Sequence, residues 1–287
     1  MNKGYICIVQ NTPDVDYLRL AYALALSIKN TQSGVNKLSI VTDIEYIPNH
    51  YIKAFDQIII MDNDRAKDAD WKLHNIVDLY DYTPYDETVM LDSDMLFLTD
   101  ISHWWDYMSL RNTWFTSTIK NYKSEIVPPH TIYREEFIKN KLPNVYNAFF
   151  YFKKHEDNKE LFDTMKDICE NWDDYVKKHL YKKRPKVFST DVAFGLSLKL
   201  IGMKNDAIFN EVSFPYFTHM KLQNMNWVLP SKSFDGDWTR CVDISFDEFN
   251  DSLGIKIGTL RQTGIFHYHV KKFLKDGMID ILENNYE

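Results

Sequence analysis

The stretch Val89-Met90-Leu91-Asp92-Ser93-Asp94-Met95-Leu96-Phe97-Leu98 constrains this chain more than any other. It reads as a buried strand interrupted at its middle by two carboxylates one residue apart. A carboxylate among buried neighbours is costly unless an opposite charge stands beside it. At a strand end, a pair of carboxylates suits a bound divalent cation, whose oxygen ligands sit at roughly 2.1 Å for Mg²⁺-like ions. Such a cation can carry a diphosphate. An isolated Asp-x-Asp also fits a turn cap followed by a solvated carboxylate. The apolar runs on both sides favour the strand-end reading.

Similar runs recur upstream. Tyr5-Ile6-Cys7-Ile8-Val9, Leu38-Ser39-Ile40-Val41-Thr42-Asp43 and Gln57-Ile58-Ile59-Ile60-Met61-Asp62 read as strands. Between the first two, Asp14 or Asp16 can cap a helix to about Asn30, with Leu18, Ala21, Ala25 and Ile28 on one face. A second helix is expected over about 70–80. Alternation of strands and helices predicts an α/β fold with a mostly parallel sheet covered by helices. Ligands in such sheets bind at the carboxyl ends of the strands. Here those ends carry Gln10, Asp43 and Asp62.

The second half is less regular. Val145-Tyr146-Asn147-Ala148-Phe149-Phe150-Tyr151-Phe152 reads as a strand with an embedded Asn, and 158–179 as an amphipathic helix. Ser189-Thr190-Asp191 caps a helix through Leu200. A basic run lies between, from Lys177 to Lys186. The chain ends with Phe266-His267-Tyr268-His269-Val270-Lys271-Lys272 and a short tail. In a strand, His267 and His269 face one way and Tyr268 the other.

Composition narrows the class. A 287-residue chain with 45% hydrophobic and 26% charged residues is globular. Its net charge of −7 argues against non-specific nucleic-acid binding. Cys7, Cys169 and Cys241 are odd in number and lack metal-ligand spacing, which predicts inert thiols and a cytoplasmic protein. The first apolar run is too short for a signal peptide. No run reaches the ~20 apolar residues of a membrane helix.

Lys72-Leu73-His74, the following helix, the Tyr-rich turn and the Asp92-Ser93-Asp94 strand resemble the core of the family-8, glycogenin-like glycosyltransferases. The resemblance runs from Tyr5 to about Lys272. It implies a GT-A fold, a nucleotide-sugar donor (a UDP-sugar), Mn²⁺ or Mg²⁺, and sugar transfer with retention. It implies one domain over 1–287, with a nucleotide- and metal-binding half over about 1–110 and an acceptor-side half over about 111–287. Carried over residue by residue, Asp92, Asp94 and His267 match the metal ligands. Gln10, Asn11 and Thr12 match the nucleoside loop. Lys72 matches a donor contact, Ser93 lies within the donor motif, and Lys271 or Lys272 would neutralise the diphosphate. Asn147 and Asp191 match the sugar-side residues. Several positions depart from the family: Ala148-Phe149 follow Asn147, Val192 follows Asp191, and no Pro-Trp follows Lys271 and Lys272. The donor sugar and the acceptor (glycan, protein, lipid or nucleic-acid base) are left unspecified.

Three other readings compete. A haloacid-dehalogenase-type phosphatase also places Asp-x-Asp at a strand end, but that strand generally opens its fold. Nucleotidyl transfer typically needs a Gly-rich basic loop that Gln10-Asn11-Thr12-Pro13 does not supply. A non-catalytic nucleotide-sugar or glycan-binding protein would keep the fold without turnover.

Overall fold

The computed structural model describes residues 1–67, 72, 74–127, 134–208, 214–221, 238–248 and 252–286. Strands β1 (Lys3–Val9), β2 (Leu38–Thr42), β3 (Ile58–Ile60) and β4 (Glu87–Leu91) pair in parallel in the order β3-β2-β1-β4. Every residue of β2 and β4 is buried, as a strand covered on both faces requires. Strands β5 (Met95–Phe97), β6 (Thr113–Thr116), β7 (Thr118–Lys120) and β8 (Tyr146–Lys153) follow. β8 runs antiparallel between β4 and β6 and completes a six-stranded, mostly parallel sheet.

The Asp-Ser-Asp stretch divides two sheets. β4 stays in the main sheet, while β5 joins β7, β9 (Tyr216–His219) and β13 (Ile265–His267) in the order β5-β13-β9-β7. A third sheet holds β10 (Val242–Asp247), β11 (Ser252–Ile257) and β12 (Leu260–Arg261). A single apolar run therefore feeds two layers, and the polar turn between them sits at the junction.

The helix Tyr17–Thr31 packs beneath this junction with residues Leu20 to Ile28 all buried. Asp16 caps it by accepting from Arg19 N at 3.0 Å. Ser27 Oγ accepts from Phe97 N at 3.0 Å and ties β5 to the helix. The C-terminal helix Asp276–Asn284 is clamped to the same helix. Arg19 Nη1 donates to Leu274 O at 3.0 Å, and Tyr22 Oη to Glu283 at 2.8 Å. These contacts hold the C-terminal segment against the first helix.

Two predicted helices differ. The expected 158–179 helix is two, Glu156–Glu170 and Trp172–His179. Asn171 divides them: its side chain donates back to Asp167 O at 3.1 Å and competes with the helical backbone. Of the 70–80 helix, the start lies outside the described residues. The remainder is a tight 3₁₀ turn, His74–Asp78, leading into Leu79–Tyr82. No described helix is long and apolar enough to cross a membrane. The three cysteines are free, and burial pushes the Cys7 and Cys169 thiols up, Cys169 to about 11.

Candidate functional site

Asp92 follows the last residue of β4, with its N–H donating to Ala148 O on β8 at 3.0 Å. Asp94 precedes β5, and its carbonyl accepts from Tyr268 N at 3.1 Å. The antiparallel register sets Met95 opposite His267. That register brings a residue 173 positions downstream of Asp94 against its carboxylate. His267 Nε2 lies 3.1 Å from Asp94 Oδ2 and 3.7 Å from Asp92 Oδ2. One ligand atom from each of the three residues falls within 4.8 Å of the others.

The charges are unevenly satisfied. Burial works against the Asp94 carboxylate, but the facing His267 and Lys271 outweigh it and hold its carboxyl well below the ordinary range. Lys271 Nζ is in direct contact with Asp94 Oδ2. Burial pushes Asp92 up to about 6, with His267 pulling down and Asp94 pushing up. Its side chain keeps 34% of its surface exposed, so solvent moderates that push. His267 Nε2 is buried and makes no well-formed hydrogen bond among the described residues. A buried nitrogen with no well-formed hydrogen bond, 3.1 and 3.7 Å from two carboxylates, fits a divalent cation that takes oxygen and imidazole ligands.

A cleft of about 170 Å³ opens over this cluster. Gln10, Thr12, Lys72, Asp92, Ser93, Asp94, Asn147 and Lys271 all line it, as do Tyr17 and His269. At its floor, polar groups tie the carboxyl ends of the strands. Gln10 Nε2 donates to Asp43 at 3.0 Å, and Asn75 Nδ2 donates to Gln10 Oε1 at 2.6 Å and Asp64 at 2.7 Å. Asp64, rather than the exposed Asp62, carries the third strand's contribution. Lys72 Nζ caps the backbone carbonyls of Ala66 and Lys67 at 2.5 and 3.0 Å.

Four expected site residues stand outside the cleft lining: His267, buried against Asp94, and Asn11, Lys272 and Asp191. Asn11 is exposed, and its side chain accepts from Leu18 N at 3.0 Å, a local helix-start bond. Lys272 is exposed, one residue beyond the inward-facing Lys271. Asp191 stands behind Asn147: its Oδ1 accepts from Asn147 N at 2.8 Å and its Oδ2 from Arg134 Nη1 at 2.7 Å. Asn147 Nδ2 in turn donates to Thr190 Oγ1 at 2.8 Å. The helix Thr190–Leu200 that carries Asp191 sits close to the segment before β8. At its Gly195 a Cβ would come within 2.9 Å of Pro143 O, which only glycine avoids.

Sequence reasoning missed Arg134, Tyr17, Asn75 and His219. Arg134 is 1% exposed, and its guanidinium lies over Phe137 and Tyr146 at 3.7 and 4.0 Å. Tyr17 lies below Lys271, with Nζ 5.7 Å from the ring centre. Burial, with Asp94 and Asp92 adding, pushes its phenol up to about 12. His219 closes a strand-like Tyr-Phe-Thr-His run that carried a readable signal. The others had none, because an isolated Arg, Tyr or Asn in a helix or turn has no distinguishing pattern.

No protein-family model and no curated protein matches the chain. Solved structures do. The chain is similar to galactosyltransferase LgtC, solved with donor and acceptor sugar analogues, at TM-score 0.53 and 10% identity, covering 98% of this chain and 95% of that one. Mouse xyloside xylosyltransferase 1 matches at TM-score 0.46 and 11% identity, over 73% of this chain and 85% of its own. Glycosyltransferase GlyE of Streptococcus pneumoniae matches at 0.44 and 9%, over 73% of this chain, which spans only 46% of GlyE. The likeness to LgtC is one of fold: this chain has the mixed α/β, GT-A type architecture, with a mostly parallel central sheet flanked by helices.

Proposed function

We propose that the chain is a metal-dependent glycosyltransferase that moves a sugar from a nucleotide-sugar donor, a UDP-sugar, to an acceptor hydroxyl. The observation that carries the reading is the Asp92, Asp94 and His267 cluster, with Asp94 and His267 buried and His267 Nε2 making no well-formed hydrogen bond among the described residues, set beneath a cleft at the strand ends of this fold. A divalent cation such as Mn²⁺ or Mg²⁺, held by these three side chains, supplies positive charge against the donor diphosphate.

The chain's own residues do the rest. Lys271, now on Asp94, is a flexible cation placed to follow the leaving diphosphate as its charge develops. Lys72 adds a second positive charge on the cleft wall. Gln10 and Thr12 border the nucleoside end, with Asn11 fixing their turn. Ser93 lines the cleft between the two aspartates. Asn147 and Asp191 take the sugar side: Asn147 faces the cleft, and Asp191 holds its backbone in place. Retention of configuration follows the family resemblance, as does the division at about residue 110, and a cytoplasmic setting follows the three cysteines without pairing or metal-ligand spacing.

A thermal-shift and calorimetry panel of nucleoside diphosphates, with and without Mn²⁺, tests the reading. UDP with Mn²⁺ at 100 times its Kd is expected to stabilise the protein by about 2.7 kcal/mol. UDP in chelator is expected to do nothing. Equal stabilisation in chelator would falsify the metal bridge.

A further inference from the structure

His219 lies behind the cluster, and His219 Nδ1 sits 3.0 Å from His267 Nδ1. The contact is a product of register. β9 and β13 run parallel with His219 opposite His267, so both imidazoles leave the sheet on one face. The rings are 4% and 2% exposed, with centroids 4.5 Å apart. Phe217 packs against both, at 5.6 and 5.7 Å, and limits their rotation.

Two ring nitrogens this close share one proton: one donates and the other offers a bare lone pair. If His219 donates, His267 Nδ1 is bare and a neutral His267 carries its proton on Nε2, towards Asp94. If His267 donates from Nδ1, a neutral His267 has a bare Nε2 facing Asp92 and Asp94. Only the second arrangement leaves a lone pair for a cation.

We propose that His219 is a positioning residue that accepts from His267 Nδ1–H and so fixes the tautomer able to ligate the metal. The inference rests on the metal reading above. Metal-bound imidazoles are generally oriented by a carboxylate, carbonyl or water on the other nitrogen. A neutral imidazole does this without placing a third carboxylate behind Asp92 and Asp94, where it would add repulsion.

The test uses the whole protein and metal alone. Mn²⁺ affinity is measured by calorimetry for the unmodified protein, His219→Leu and His219→Gln, together with metal-free melting temperatures. His219→Leu is expected to weaken Mn²⁺ binding by about 10- to 100-fold. His219→Gln, whose carbonyl can accept the same proton, is expected to recover most of it. Nitrogen NMR of the unmodified protein with diamagnetic Mg²⁺ reads the tautomer without any variant. The proton is expected on His267 Nδ1. Finding it on His219 Nδ1, or finding undiminished Mn²⁺ affinity in His219→Leu, overturns the inference while leaving the metal reading intact. Failure of the unmodified protein to bind Mn²⁺ overturns both.

Discussion

Asp94 and Asp191 are carboxylates beside the same cleft, and the protein satisfies them differently. Asp191 is closed by its own surroundings: one oxygen takes the Asn147 backbone, the other the Arg134 guanidinium. Arg134 is in turn spent on Asn144 Oδ1 at 2.8 Å and on Val145 O. Asp94 is countered by Lys271 and His267, both on a segment that returns from the far end of the chain, and His267 Nε2 makes no well-formed hydrogen bond among the described residues. A closed network fixes the backbone before β8. An open one, with surplus negative charge at Asp92, points outward to a ligand.

The comparison breaks most directly at Asp94. Asp94→Asn removes a charged ligand and keeps the shape. Sugar transfer and metal-dependent UDP binding are expected to fall by at least about 100-fold, as when an electrostatic group aimed at developing charge is removed. The cost in stability is expected to stay within about 1–3 kcal/mol. Turnover and melting temperature should be measured on the same preparation. Near-normal transfer by this variant would show that the open cluster is not the site.

At the closed cluster the effect should appear in stability first. Arg134→Met leaves the half-buried Asp191 without its cation and Asn144 Oδ1 and Val145 O without their donor, at an expected cost of about 2–4 kcal/mol in urea unfolding. Arg134→Met with Asp191→Leu is expected to regain only part of that, because Asn147 N–H, Asn144 Oδ1 and Val145 O stay without their partners. A double variant no better than the single one would mean that Asp191 does not depend on Arg134.

The smallest effect is expected where the charges are solvated. Lys182, Lys183 and Arg184 are exposed in a loop anchored through Asn140, which accepts from Lys182 N and donates to Lys183 O, both at 3.0 Å. Replacing all three by Ser should change stability by no more than about 0.5 kcal/mol. If the acceptor carries phosphate, acceptor use should weaken as it does when salt is raised on the unmodified enzyme, because the attraction is screened beyond roughly 8 Å. Donor hydrolysis should be unchanged. Insensitivity to both salt and substitution would assign the acceptor to a neutral class.

Much of the sheet was legible because buried strands leave apolar runs. β1, β2 and β8 fall within two residues of their predicted limits. The helices were less legible where one polar side chain rewrites the backbone. Asn171 splits a periodic segment, and Asn75 draws a 3₁₀ turn against Gln10 and Asp64. In the site, Asp92 and Asp94 stood out because charge inside an apolar run has no bland local reason. Arg134 gave no such sign, since its burial depends on partners from a helix and a strand that its own neighbourhood does not announce.

By itself the sequence determined the alternation of strands and helices, the polar strand ends and the placing of two carboxylates between β4 and β5. Local periodicity and the cost of buried charge suffice for those. Tertiary structure decided that the run holding them would serve two sheets, that His267 would pair opposite Met95, and that His219 would fall beside His267. Register between distant strands is a sum over many contacts of the whole core, so a one-residue slip would turn His267 to the other face. No local pattern carries that information.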